Sequence, residues 1–285
     1  MIKTRFGALL LIVTIFVVQY VGAVESGPSN TVGFWKADVG HGFTQISFPL
    51  LPNDKTVTNV LGDQLTGAGV PEESDQIHRW NSGTASFEIC WYNIETSQWE
   101  GQFSELSESE SYWIYVQPTS PAMQTIITYG NIIEEPSYGM GQMVPGYNAI
   151  GSIWAMPAQV TQAGLNGFEG GLYLFLSDLL MGYDASTGSY SYAWQNESST
   201  WMGDLTALEP LQGYWIYVAP GHDGFDWPNY PQPESPIANG IIQVNPNPIQ
   251  DNLKSIPPVP TPQPVTYSTS TSQPVQSTSV KGGAQ

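Results

Sequence analysis

The chain has 285 residues and a net charge of −18, from 25 Asp and Glu against 7 Lys and Arg. No Lys or Arg lies between Arg79 and Lys254, which excludes nucleic acid and anionic membrane surfaces as partners, because both require cations against phosphate. A GxxxxGK[ST] phosphate loop is missing, and three His and one Cys are too few for the usual zinc ligand sets.

Lys3 and Arg5 precede an apolar run over 6–18, and Val21-Gly22-Ala23 supplies small residues suited to cleavage. Residues 1–23 therefore read as a signal peptide, with a retained membrane anchor as the alternative. Its removal leaves five basic residues against all 25 acids, since no acid precedes Glu25. Either way the body is expected outside the cytoplasm. Cys90 is alone, so no disulfide framework is available and a packed core must stabilise the chain. Between Ile89 and Trp91 it is expected to be a buried, small apolar side chain.

Beyond the leader, 29 Gly, 23 Pro and many aromatics predict short strands joined by turns. Residues 31–39 are expected to open the first unit. Phe43, Gln45 and Ser47 alternate with Thr44, Ile46 and Phe48, a period-two strand pattern. Residues 87–91 and 190–194 have the same period with aromatics, after turn chemistry at 81–83 and 184–188. Residues 125–133 form a further strand, broken at Gly130-Asn131. Helices are expected only within 57–65 and 158–180, and 172–180 fits either a buried strand or a short helix.

An internal duplication organises these elements. Ser74-Asp75 to Asn81 corresponds to Ser177-Asp178 to Asp184 at an offset of 103, and Trp99 to Leu106 corresponds to Trp201 to Leu208 at 102. Tyr112-Trp113-Ile114-Tyr115-Val116 recurs identically as Tyr214-Trp215-Ile216-Tyr217-Val218, and 42–47 pairs with 146–151. The fold class is thus all-β, with two tandem related β-sandwich-like domains at 30–135 and 137–245. Residues 246–285 follow as a Pro/Ser/Thr-rich tail with little apolar bulk, expected to be extended or disordered.

The blocks 31–36 (Thr-Val-Gly-Phe-Trp-Lys), 42–50 (Gly-Phe-Thr-Gln-Ile-Ser-Phe-Pro-Leu), 75–81 (Asp-Gln-Ile-His-Arg-Trp-Asn), Trp99, Leu106 and 112–116 come in a recognisable order. Together they resemble a secreted bacterial β-domain with the pattern G-x-N-x-I-S-x-P, a W-N or Y-D turn, W, and G-x-G-Y/F-W-I. Such domains recur, often in tandem, in exported surface proteins of Gram-negative bacteria. The resemblance covers about 31–220 and implies a β-architecture but no activity, since its motifs are strand and turn residues. The second unit departs from it with Ile-Gly-Ser-Ile-Trp-Ala-Met-Pro at 150–157. Residues 242–253 are similar to the opening of type IX secretion sorting domains, V-Y-P-N-P-x-x-D-x-L, without the usual further strands.

No catalytic set stands out. The acid pairs open to glycoside hydrolysis are Asp75 with Glu88 and Asp178 with Asp184, together with Glu105. Most acids, however, fall in clusters such as 72–75 and 107–110 that read as solvated faces. His41, His78 and His222 have no G-x-S-x-G elbow to serve, and Met181 replaces His78 in the second unit. Asp223 and Asp226, around Gly224, form a candidate calcium loop, and no other cofactor is implied. In the repeated YWIYV strands the aromatics are expected to fill both faces. Trp35, Trp154, Trp227 and Tyr230 are then the better candidates for exposed sugar-stacking positions. The reading is a secreted, non-catalytic structural or adhesive protein of a bacterial surface or extracellular matrix, able to self-assemble. Its partners would be itself, other extracellular proteins or polysaccharide. The alternative is a carbohydrate-binding module protein using exposed aromatics.

Overall fold

Residues 32–131, 141–154, 157–228 and 258–265 are described by the computed structural model. The first half runs through β1 (Val32–Gly40), β2 (Gly42–Ser47), a single helical turn α1 (Val57–Leu61), β3 (Gln76–Asn81), β4 (Ser86–Asn93), β5 (Gln98–Gly101), β6 (Ser111–Val116) and β7 (Met123–Asn131). The second half contains β8 (Gly141–Met143), β9 (Gly146–Gly151), β10 (Ala158–Gln159), β11 (Leu179–Asp184), β12 (Ser189–Gln195), β13 (Trp201–Gly203), β14 (Ala207–Leu208), β15 (Gly213–Val218) and β16 (Phe225–Trp227). The architecture is all-β.

The duplication is visible in the topology. One five-stranded antiparallel sheet has the order β2-β6-β3-β4-β5, and the other has β9-β15-β11-β12-β13, which is the same order in corresponding strands. The boundary between 30–135 and 137–245 therefore separates two like sheets. All described residues nevertheless fall in one compact unit, Thr31–Gln285. The YWIYV strands, β6 and β15, are interior to their sheets.

Period two explains how one motif serves two cores. In β6, Tyr112, Ile114 and Val116 join a core between their sheet and a covering layer of β1, β7 and α1, while Trp113 faces the other way. In β15, Tyr214, Ile216 and Val218 join the corresponding core of the second half, and Trp215 and Tyr217 face away from it. Trp113, Trp215 and Tyr217 meet in a third apolar layer shared by the two sheets. Trp113 packs on Tyr183 of the opposite sheet at 5.1 Å between ring centroids, and Trp215 packs edge-on against Trp80 at 5.5 Å. Trp80 and Tyr183 are corresponding residues, so the packing is reciprocal. By area, each such burial is worth on the order of 2–3 kcal/mol.

Backbone bonds between the halves obey the same pseudo-symmetry. The Ser47 N–H donates to Leu211 O at 2.7 Å, and the corresponding Gly151 N–H donates to Ser109 O at 3.0 Å. At this crossing the second half has glycine where the first has serine, Gly151 for Ser47 and Gly213 for Ser111. A Cβ on Gly151 would strike the Glu110 carbonyl oxygen, and one on Gly213 would strike Ser111 and Gln45. Gly213→Val is expected to cost about 2 kcal/mol through overpacking. Its urea midpoint should fall at constant m-value, and an unchanged midpoint would refute the tight crossing.

One sequence expectation is corrected. Residues 158–180 contain no α-helix, only the two-residue strand β10, 3₁₀ turns at Val160–Gln162 and Leu174–Leu176, and the first two residues of β11. An apolar run without helical periodicity, interrupted by Gly164, Gly167, Gly170 and Gly171, nucleates no helix. Of the tail, expected to be extended or disordered, residues 258–265 contain no helix or strand and are docked. Val259 packs against the shared aromatic layer, and Pro262 is buried. Proline rings are apolar surface, and their fixed φ reduces the entropy lost on ordering. The rest of 246–285 and the leader at 1–23 lie outside the described residues. No helix among the described residues is long and apolar enough to cross a membrane.

Candidate functional site

The duplicated Ser-Asp pair forms a buried knot in each half. Asp75 Oδ2 accepts from the Thr66 N–H at 2.8 Å, and Oδ1 accepts from the Gln117 N–H and the Ser120 hydroxyl, both at 2.8 Å. The Gln124 amide also donates to Oδ2. Asp178 repeats the two backbone contacts at corresponding positions, with His222 in place of Ser120 and no counterpart to Gln124 among the described residues. Its Oδ2 accepts from the Glu169 N–H at 2.9 Å, and Oδ1 takes the Ala219 N–H at 2.9 Å and His222 Nδ1 at 2.8 Å. Asp75 was expected on a solvated face, and that is corrected: both aspartates are fully buried. Each ties the loop before its strand to the residue following YWIYV. The Tyr that opens YWIYV is also a strut. Tyr112 Oη accepts from the Ser107 N–H at 2.8 Å, and Tyr214 Oη accepts from the Glu209 N–H five residues upstream in the same way.

Glu88, Asp184 and Cys90 are likewise engaged structurally, and Glu105 is exposed. Glu88 accepts from Arg79 Nε at 2.9 Å and from Asn81 at 2.8 Å. Asp184 accepts from Ser186 in an exposed turn. Cys90 is buried, with Sγ on Phe103 O at 2.6 Å, and burial raises its thiol pKa.

The aromatic candidates do not converge. Trp35 is half-buried on the inner face of β1, and Trp154 is half-buried against Trp227, 5.9 Å between centroids. Trp227 was expected to be exposed and is instead fully buried, with Nε1 donating to Ala163 O at 3.1 Å. The second core, short of long aliphatic strands, uses its ring as filler. Tyr230 lies outside the described residues. Asp223 and Asp226 are both exposed, and no group of three or more His, Cys, Asp or Glu among the described residues is placed to hold a metal.

Two surfaces that the sequence did not single out are open to partners. The first is a cleft of about 500 Å³ beside the inter-sheet layer, lined by Trp80, Tyr147 and Tyr217 and by Pro145, Pro220, Pro258 and Pro260. Trp80 is fixed there by donating Nε1–H to Tyr147 O at 2.8 Å. Burial, then neighbouring tyrosines, raises the Tyr147 phenol pKa, and burial raises that of Tyr217, so both stay neutral at ordinary pH. A smaller, polar recess of about 200 Å³ also borders Trp80, with Ser107, Glu110 and Asn148 in its wall.

The second surface is the outer face of the β1–β7 ribbon. Its register sets Phe34 opposite Tyr129 and Lys36 opposite Ile127. Phe34 is 76 % exposed, and Met123, Ile127 and Tyr129 are exposed beside it. The alternation of Phe34, Lys36 and Asp38 with Trp35, Ala37 and Val39 was the available signal. Strand periodicity shows that two faces exist but leaves open which one is covered.

No family model, curated protein or solved structure matches this chain.

Proposed function

We propose that the chain is a secreted, non-catalytic structural or adhesive protein of a bacterial surface or matrix, which associates with further copies of itself through the β1–β7 ribbon. The observation that carries this reading is the set of exposed apolar side chains on the outer face of that ribbon, Phe34, Met123, Ile127 and Tyr129, around the Lys36–Asp38 ion pair, on an otherwise strongly acidic chain. Apolar patches of this kind on soluble proteins mark contact surfaces. β1 is nine residues long, and β7 is its only strand neighbour among the described residues, so its other edge is open to strand addition. The duplicated signature residues support a non-catalytic role, because they are used up in knots, struts and the inter-sheet layer. A glycan-stacking row on the YWIYV strands finds less support, since Trp113, Trp215 and Tyr217 are buried.

Copies carrying −18 repel one another, so association should strengthen as salt shortens the screening length to about 10 Å near 0.1 M. Light scattering of the natural protein should show oligomers that grow with concentration and with salt. Phe34→Ser/Tyr129→Ser should stay monomeric while losing less than about 0.5 kcal/mol of stability, as expected for exposed positions. A natural protein that is monomeric across both variables would overturn the reading.

A further inference from the structure

Residues 258–265, Pro-Val-Pro-Thr-Pro-Gln-Pro-Val, lie along the open side of the inter-sheet aromatic layer. Val259 packs against that layer, Pro258 and Pro260 line the same cleft as Trp80, Tyr147 and Tyr217, and Pro262 is buried. Farther along, the Val265 N–H donates to Gln76 Oε1 at 3.3 Å. Gln76 is held for this, donating its own amide to Pro71 O at 2.8 Å. The segment thus meets Trp80 first and Gln76 last, running against the direction of β3 on the face shared by Gln76, His78 and Trp80.

Proline at every second position decides the mode of contact. Those residues have no N–H to give to a ladder, so the segment could pair along one edge at most, and over 258–265 it joins no strand. They are pre-set for an extended polyproline conformation, which loses little entropy on docking, and their rings suit flat aromatic walls. A neutral cleft lined by Trp and Tyr is the matching receptor.

Charge and chain length say whose segment can occupy it. No acid follows Asp251, and Lys254 and Lys281 are two of the chain's seven basic residues. The tail beyond Asp251 is therefore a part of this acidic chain whose approach to another copy is not opposed by like charge. The sequence has 29 residues between Pro228 and Pro258, enough to span on the order of 90 Å when extended. A neighbour's cleft is within that reach.

We propose that the inter-sheet cleft is a polyproline-binding groove whose ligand is segment 258–265, held in cis in the isolated molecule and exchanged with a second copy when copies meet. This does not depend on the ribbon contact proposed above.

The test uses the full chain. In Val259→Asp/Pro262→Asp the cis segment should leave the groove, and a fluorescent peptide of residues 257–265 should then bind. Its affinity should exceed that for the natural protein by at least about tenfold, because in the latter the tethered segment competes at an effective concentration of order millimolar. A folded double variant that binds no more tightly than the natural protein overturns the groove. An unrelated proline-rich peptide bound equally well overturns the assignment of this segment as its ligand. Should the double variant not fold, hydrogen exchange on the unaltered protein decides. Protection is expected at Val265 above all, and exchange of Val259, Thr261, Gln263 and Val265 at unprotected rates refutes the docking. For exchange between copies, heavy- and light-isotope chains are mixed and Lys254 is coupled to carboxylates by a carbodiimide. Mixed-isotope links should rise with concentration, and same-isotope links alone at every concentration would remove the second copy.

Discussion

Asp75→Ala is expected to lower the stability of the whole molecule by about 4 kcal/mol or more, a large share of the 5–15 kcal/mol typical of folded domains. The side chain is fully buried and accepts from two backbone amides, the Ser120 hydroxyl and the Gln124 amide. Alanine would leave these donors without an acceptor inside the protein, at about 1–3 kcal/mol for each one that finds no substitute. Asn is a poor replacement, because one of its two positions becomes a donor facing donors. Asp178→Ala should act in the same direction, since it accepts from the two corresponding backbone amides and from His222 in place of Ser120. Glu73→Ala, two residues away and exposed, should change stability by less than about 0.5 kcal/mol. Urea denaturation followed by near-ultraviolet dichroism checks all of these. Because Trp113 and Trp215 lie in one shared layer, each aspartate variant should lose both halves in one transition. Separate transitions would show that the halves fold independently.

The knot also shows where sequence reasoning reaches its limit. Asp75 stands beside Glu72 and Glu73, and an acidic run is most simply read as solvated. Only the recurrence of Ser-Asp at 177–178, without the preceding glutamates, distinguishes it from its neighbours. The strands were legible because their information is local. Period two in Gly42–Ser47 and Ser86–Asn93, and dense β-formers in 112–116 and 214–218, set strand type and two-sided burial before any partner is known. The face-to-face packing of the halves was not legible, because Trp80–Trp215 and Trp113–Tyr183 join residues far apart in sequence that could equally have filled two separate interiors. Trp227 and 258–265 were misjudged for a related reason. An irregular, Pro-rich context predicts the lack of a ladder, whereas burial depends on whether an apolar surface elsewhere lacks a cover.

Acidification from pH 6.5 towards 4 should cost about 3 kcal/mol through His78 alone. His78 lies on β3 in the shared interior, fully buried, with its ring edge-on to Phe43 at 5.2 Å and Nε2 on Gln76 Oε1 at 3.0 Å. Burial holds its pKa down at about 4, against about 6.5 in the unfolded chain. Between those values the unfolded state binds the proton and the folded state does not, so stability rises with pH across the window and is lost as pH falls through it. A depression of roughly 2.5 units corresponds to that 3 kcal/mol at 1.36 kcal/mol per unit. The carboxylates of Asp38, Glu88 and Asp184, whose pKa values are lowered, act in the same direction but below about pH 4.5, where their unfolded forms begin to protonate. The interval from 6.5 to 4.5 therefore lies above the carboxylates, and the His78 variant separates its share from that of His41 and His222. The second half supplies the control residue, since Met181 occupies the corresponding place, fully buried in the same layer. His78→Met should keep the stability measured at pH 7 within about 1 kcal/mol, because Nδ1 has no hydrogen-bond partner, the Gln76 oxygen released by Nε2 still accepts from the Val265 N–H, and Met adapts to irregular cores. It should also flatten the urea midpoint between pH 6.5 and 4.5. A variant as acid-sensitive as the natural protein over that interval would assign the sensitivity to another group.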